Sequence, residues 1–251
     1  MSITDVRAPA GKTDIVVGTH MDLKGKVVII TGAKGGLGTS VTHAFLDAGA
    51  MVAGVSRSIR DSDFPSEHFA AMPSELGGIE ETSKLVEAVR ARFGRLDGLV
   101  HLVGGYAGGR SVAESDEALL DNMLEMNLRT AFRAIRAVLP ILRAQGSGRI
   151  LAIGSKAAVE PSPTVAAYAA SKAALVSLIR TIARENADRH ITANILLPGT
   201  MDTPGNRAGV LGADYSKWVQ PGQVASLLVH LMSDSASQVS GAVIPVYGEE
   251  A

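Results

Sequence analysis

The chain contains no cysteine. That absence excludes disulfides, thiolate catalysis and cysteine metal sites together. Its histidines (His20, His43, His68, His101, His190 and His230) never fall three to five residues apart. No helical metal pair exists, and no metal site is expected. Neither sign of charge dominates: 24 basic against 25 acidic side chains leave a formal net charge of -1. Such a balance gathers no phosphates at long range, so no nucleic-acid partner is expected. No run of about 18 apolar residues occurs, and no membrane-spanning helix is expected. Residues 1–20 also lack a basic region followed by a long apolar stretch, which argues against a secretory leader and makes the chain cytoplasmic by exclusion. They are polar, carry Pro9 and Gly11, and read as a flexible extension ahead of one domain over 21–251.

What is present is an alternation of two periodicities. Short apolar runs at 27–31, 51–56, 97–103, 149–154, 191–197 and 242–246 read as strands, with a short, polar candidate at 67–71. Helical spacing fills 36–48, 79–93, 114–142 (one or two helices), 165–187 and 221–232. Strands that are apolar throughout, separated by helices, imply a parallel sheet covered on both faces. The handed crossover rule then makes the fold α/β and doubly wound, a Rossmann-like three-layer sandwich around a mainly parallel sheet, seven-stranded if the candidate at 67–71 is counted.

The first strand runs into Thr31-Gly32-Ala33-Lys34-Gly35-Gly36-Leu37-Gly38. Glycines let backbone approach a pyrophosphate, whose charge then sits at the following helix N-terminus. Gly32, Lys34, Gly35, Gly36, Leu37 and Gly38 are therefore candidate dinucleotide contacts. A P-loop would need Gly-Lys-Ser/Thr at the end of the turn, and Gly38 is followed directly by Thr39. The second strand ends in Ser56-Arg57-Ser58 rather than in an acid. A guanidinium flanked by hydroxyls suits a ribose 2′-phosphate, so NADP(H) is expected over NAD(H), with Lys34 as a second positive charge.

Tyr168 and Lys172 stand four apart in a helical run, on one face. Tyrosine, with an ordinary pKa of roughly 10, is a sluggish base at neutral pH, and a nearby ammonium favours its phenolate. Lowering the phenol by about three units needs roughly 4 kcal/mol. Tyr168 could then exchange a proton with a substrate oxygen. Ser155 ends the strand at 149–154, at the sheet edge where active sites of open α/β sheets lie. Asn127 interrupts an apolar helical pattern.

Taken in order, these residues resemble the short-chain dehydrogenase/reductase family over 22–248. The glycine turn matches its cofactor turn; Ser155, Tyr168, Lys172 and Asn127 match its catalytic set. The resemblance implies that Ser155 orients a carbonyl and Tyr168 transfers the proton. It also implies that Lys172 tunes Tyr168 and holds ribose, while Asn127 anchors a relay water. Pro198-Gly199 through Thr203 matches the segment that holds the nicotinamide, and Glu75-Leu76 matches a pair beside the adenine. Where the family usually reads Asn-Asn-Ala-Gly, this chain reads His101-Leu102-Val103-Gly104, keeping only the glycine beside the cofactor. The next segment, Gly105-Tyr106-Ala107-Gly108-Gly109, is similar to that of dihydropteridine reductases, as is Asp202-Thr203-Pro204 with Trp218 downstream. Tyr106 and Trp218 are therefore candidate substrate contacts.

Three readings stay open: reduction or oxidation of a small or medium ketone or alcohol, dihydropteridine-like reduction of a quinonoid pterin or quinone, and a non-catalytic NADPH sensor. Arg129, Arg133 and Arg136 are read as a solvated helix face rather than a carrier-protein patch. By the same resemblance the chain is expected to form a homotetramer, with a homodimer second. The loop at 200–219, holding Gly205, Gly209 and Gly212, is expected to be mobile without ligand and to fold over the nicotinamide when substrate binds.

Overall fold

A computed structural model describes residues 22–250. The expected extension at 1–20 lies outside the described residues. Seven strands alternate with helices: β1 Val27–Thr31, α1 Gly36–Asp47, β2 Met51–Ser56, β3 Phe69–Pro73, α2 Ile79–Phe93, β4 Gly98–His101, α3 Glu117–Leu124, α4 Thr130–Gln145, β5 Gly148–Ile153, α5 Ala166–Glu185, β6 Ile191–Pro198, α6 Pro204–Gly209, α7 Pro221–Met232 and β7 Val243–Val246. They form one sheet in the order β3-β2-β1-β4-β5-β6-β7. All six pairings are parallel rather than mainly so.

Alternate residues of each central strand feed two cores. Val28 and Ile30 join Val100, Leu151 and Leu196 beneath α1 and α7, around Phe45 and Leu228. Val27 and Ile29 join Leu99, Ile150 and Ile195 on the other face, beneath α2, α4 and α5, with Ile135, Leu175 and Ile179. Burial on both faces is why these strands read as unbroken apolar runs. The chain winds outward in both directions from β1 and β4, so a crevice opens at their C-terminal ends, the usual ligand position in open sheets.

Three expectations shift. The third strand lies two residues later than 67–71, because Phe69 and Ala70 are the buried pair while Glu67 and His68 face solvent. Its terminal Pro73 is tolerated because β3 is an edge strand. The fourth strand is shorter than 97–103: Asp97 turns its carboxylate to the Val27 N–H, at 2.9 Å. The helical stretch at 114–142 is two helices joined by a wide π turn, Glu125–Arg129, with Asn127 inside it.

The loop at 200–219 carries structure of its own. Val219 N–H donates to Thr200 O at 2.9 Å and Asp202 N–H to Val219 O at 2.8 Å, closing its base. Val219 and Trp218 are buried anchors.

Candidate active site

The first turn tightens by close approach. Gly32 has φ +72°, and a β-carbon on Gly38 would lie 2.0 Å from the Gly32 carbonyl oxygen. Helix α1 therefore begins against the turn, with Gly36, Leu37 and Gly38 outside the lining of the crevice. A β-carbon on Gly36 would lie 2.9 Å from that of Thr203. This places Thr203, which caps α6 by accepting from Asn206 N–H at 3.3 Å, directly over the turn. Leu37 points the other way, into the core under β1, so any contact it makes with a ligand comes from its backbone.

A groove of about 690 Å³ runs along the C-terminal edge. It brings together Gly32, Lys34 and Gly35 from the first turn, Ser56, Arg57 and Ser58 from the end of β2, Glu75 and Leu76 after β3, and Gly104 after β4. Pro198 and Gly199 stand outside this lining at the end of β6, where Gly199 N–H donates to Val246 O at 3.0 Å. At the Arg57 end the groups are exposed. The second positive charge expected from Lys34 is compensated where it stands: its ammonium meets both Asp63 oxygens at 2.8 Å and Ser58 O at 3.3 Å. Lys34, and then the Arg60 N–H, hold the Asp63 carboxyl below its ordinary range.

At the opposite end Asn127, Ser171 and Lys172 are buried, and Ser155 and Tyr168 half-buried. An ideal β-carbon on Gly104 would lie 2.7 Å from Asn127 Oδ1 and 3.0 Å from Lys172 Nζ, so both polar groups converge on this glycine. Asn127 Oδ1 accepts from Gly105 N–H at 2.9 Å, and its Nδ2 donates to Gly105 O at 3.1 Å and Ser171 Oγ at 3.0 Å. Ser171 in turn donates to Tyr168 O at 2.7 Å. The π turn, a local widening of the helix often found at functional sites, is what aims Asn127 inward. Lys172 Nζ donates to Ile153 O at 3.0 Å. Ser155 starts the turn after β5 and accepts from Ala157 N–H at 3.2 Å; its hydroxyl also hydrogen-bonds with the Tyr168 phenol.

The tuning of Tyr168 differs from expectation. Burial pushes its phenol above the ordinary value, the Ser155 hydroxyl pulls it back, and Tyr106 adds to the rise. Burial lowers Lys172 to about 8, and its ammonium is turned to Ile153 O.

Tyr106 is 68% exposed and lies edge-on to Tyr168, centroids 5.1 Å apart. Trp218 is only 8% exposed, and its ring contact is with Tyr215 at 4.8 Å. The structure thus brings one of the two aromatic candidates to Tyr168.

Two residues carry more than their sequence context announced. Asp63 gives no local signal, since its partner lies 29 positions away. His101, seen as a departure from a motif, is fully buried and bridges Thr31 Oγ1 at Nδ1 (2.9 Å) and Thr130 Oγ1 at Nε2 (3.5 Å). Thr130 already donates to Met126 O at 2.8 Å, so it accepts from Nε2–H and leaves Nδ1 to accept from Thr31. Burial first, then the Lys172 charge, lowers His101 to about 3 and keeps it neutral.

Among the described residues no three His, Asp or Glu side chains cluster to hold a metal ion, and no helix is long and apolar enough to cross a membrane.

Comparison with known proteins identifies the family. The family model for short chain dehydrogenases matches residues 26–210. The short chain dehydrogenase ausX of Aspergillus calidoustus is 30% identical over 248 residues, covering 90% of this chain and 96% of its own. The 3-oxoacyl-acyl-carrier-protein reductase FabG of Salmonella typhimurium is 30% identical over 240 residues, covering 91% and 98%. A solved 3-ketoacyl-(acyl-carrier-protein) reductase from Brucella melitensis, complexed with NADH, superposes with a TM-score of 0.81 at 25% identity, covering 92% of this chain and 100% of that one. The chain is an oxidoreductase belonging to the short-chain dehydrogenase family.

Proposed function

We propose that this protein interconverts a carbonyl and an alcohol on a small or medium-sized substrate, using NADP(H) in preference to NAD(H), with Tyr168 as general acid and base. The observations that support this reading are the convergence of Asn127 and Lys172 on Gly104 at one end of the groove and the hydrogen bond between Ser155 and Tyr168, with Tyr168 one helical turn before Lys172. The chain fits a dinucleotide: close-packed glycines form the first turn, Gly104 leaves room beside Lys172, and Arg57 with Ser56 and Ser58 offers donors to a 2′-phosphate.

When bound, the cofactor supplies or receives the hydride. The residues of the chain handle the oxygen. Ser155 holds the carbonyl oxygen beside the phenol, and Tyr168 passes its proton to that oxygen as the carbon is reduced. In oxidation Tyr168 takes the proton back. A protonated phenol is the form that reduction uses, and a phenolate the form that oxidation uses. Lys172 and Asn127, gathered on Gly104, keep the ribose and the proton path in register with Tyr168.

One observation favours a second reading. Tyr106, exposed and edge-on to Tyr168, gives a flat substrate an aromatic wall, as a dihydropteridine-like reduction of a quinonoid pterin or quinone requires. The names of the FabG and Brucella relatives add 3-oxoacyl thioesters to the candidates. The deciding experiment follows NADPH and NADH oxidation against ketones, 3-oxoacyl thioesters, quinones and quinonoid dihydropterin. Turnover of ketones or thioesters supports the carbonyl reading; turnover of quinones or pterin alone replaces it with the second. Tight cofactor binding without turnover would instead favour a sensor.

Self-association belongs to the same proposal. Helix α5 exposes the small Ala170 and Ala173, and α4 exposes Phe132, which suits close helix pairing in a homotetramer or homodimer. Light scattering at micromolar concentration that gives only monomer would refute it.

A further inference from the structure

We infer that Asp63 sets the cofactor preference of this groove by engaging Lys34, so that the site accepts NADH alongside NADPH instead of excluding it. The inference rests on the dinucleotide reading above and assigns a specificity role to a residue outside the groove lining.

The ammonium of Lys34 has three donors. Its contacts are the two Asp63 oxygens, both at 2.8 Å, and the Ser58 carbonyl at 3.3 Å. This grip is anchored. Arg60 N–H donates to Asp63 Oδ2 at 2.8 Å, and the next residue, Phe64, is buried with its ring against His43 and Phe69. Asp63 is thus part of a closed turn, not a loose surface acid.

Lys34 and Arg57 line the Arg57 end of the groove, and Glu75 lines it too. With Asp63 behind Lys34, the two cations that line this end stand against two carboxylates, Glu75 and Asp63, while the Arg60 charge also acts on Asp63. A 2′-phosphate brings a charge of nearly two and three acceptor oxygens. To use Lys34 it must break a bidentate ion pair and approach the Asp63 charge, so what it gains from the ammonium is largely offset. Arg57 remains its principal cation. A ribose hydroxyl makes no such demand, and its binding is indifferent to Asp63.

The test is calorimetric titration of NADPH and NADH into the full chain, its Asp63→Asn variant, its Lys34→Gln variant and the double variant. Asparagine retains an oxygen for Arg60 N–H while removing the charge, and Asp63→Ser with a matched melting temperature guards against a rearranged turn. Freeing one ammonium should tighten NADPH about fivefold to tenfold at low salt and shift NADH by less than about twofold. Adding Lys34→Gln should abolish the gain. An unchanged NADPH/NADH ratio overturns the inference. So does weaker NADPH binding by Asp63→Asn, which would mean that Asp63 aims Lys34 at the phosphate. Failure of the unaltered chain to bind either cofactor would instead overturn the dinucleotide reading itself, so the two failures are distinguishable.

Discussion

At the Arg57 end of the groove the working groups are exposed and charged; at the Tyr168 end Asn127, Ser171 and Lys172 are buried, Ser155 and Tyr168 half-buried, and all but Lys172 neutral. The exposed end acts through charge in high dielectric, where each group contributes modestly and added salt screens it. The buried end acts through fit. Asn127, Ser171 and Gly105 satisfy one another, and a displaced member leaves a polar group unpaired at a cost of about 1–3 kcal/mol. Substitutions at one end should therefore tune the enzyme, and substitutions at the other should disable it.

The sharpest way to test that contrast is Tyr168→Phe. Removing a positioned proton donor should lower turnover about a thousandfold, while both cofactors still bind within about twofold, since that end of the groove keeps its charge. Retained turnover would end the assignment of Tyr168. Next in size is Gly104→Ala. Its new methyl would sit 2.7 Å from Asn127 Oδ1 and 3.0 Å from Lys172 Nζ, so a neighbour must give way, and a misplacement of up to about 1 Å should cost up to about a hundredfold in kcat. If steady-state assays show a change in KM alone, Gly104 belongs to binding and not to the reacting geometry.

Arg57→Ala comes third. NADPH affinity should weaken about tenfold at low salt with NADH nearly unaffected, and the difference should shrink as salt rises. Equal weakening of both would make Arg57 an unspecific contact.

The smallest effects are those of pH on stability. Lys172 is lowered from 10.5 to about 8 in the folded chain, so between those values the unfolded state binds more protons, and stability contributed by this site rises with pH. His101, lowered from 6.5 to about 3, gives the same sign in the acid range: its contribution is complete above 6.5 and is lost as pH falls toward 3. Melting temperatures of Lys172→Met and His101→Asn, each compared with the unaltered chain across its window, should show these slopes flattened.

The framework of this site was legible because it depends on local signals. Buried strands such as Val27–Thr31 announce themselves by continuous apolar character, the first turn by its glycines, and Tyr168 with Lys172 by helical spacing. The interruption at Asn127 was visible, although the π turn beneath it was not, since nothing in a single helix period distinguishes four residues per turn from more. What escaped were pairings across the sheet. Asp63 reaches Lys34 across 29 positions and Thr31 reaches His101 across 70, and no periodicity encodes such meetings. The upward direction of the Tyr168 shift escaped for a related reason: four-residue spacing brought Lys172 onto the same face as Tyr168 but revealed neither the burial of the phenol nor the turn of the ammonium to Ile153 O.

The bridge through His101 has a further consequence. Leu102 N–H donates to Thr31 Oγ1, Thr31 to His101, His101 to Thr130, and Thr130 to Met126 O. The chain starts at a backbone donor and ends at a backbone acceptor, which gives its protons a preferred sense, and the Val103 backbone also meets the imidazole. The floor of the groove then behaves as a frozen dipole: its orientation is fixed by folding, and little reorganisation is left for it to undergo when charge moves above it.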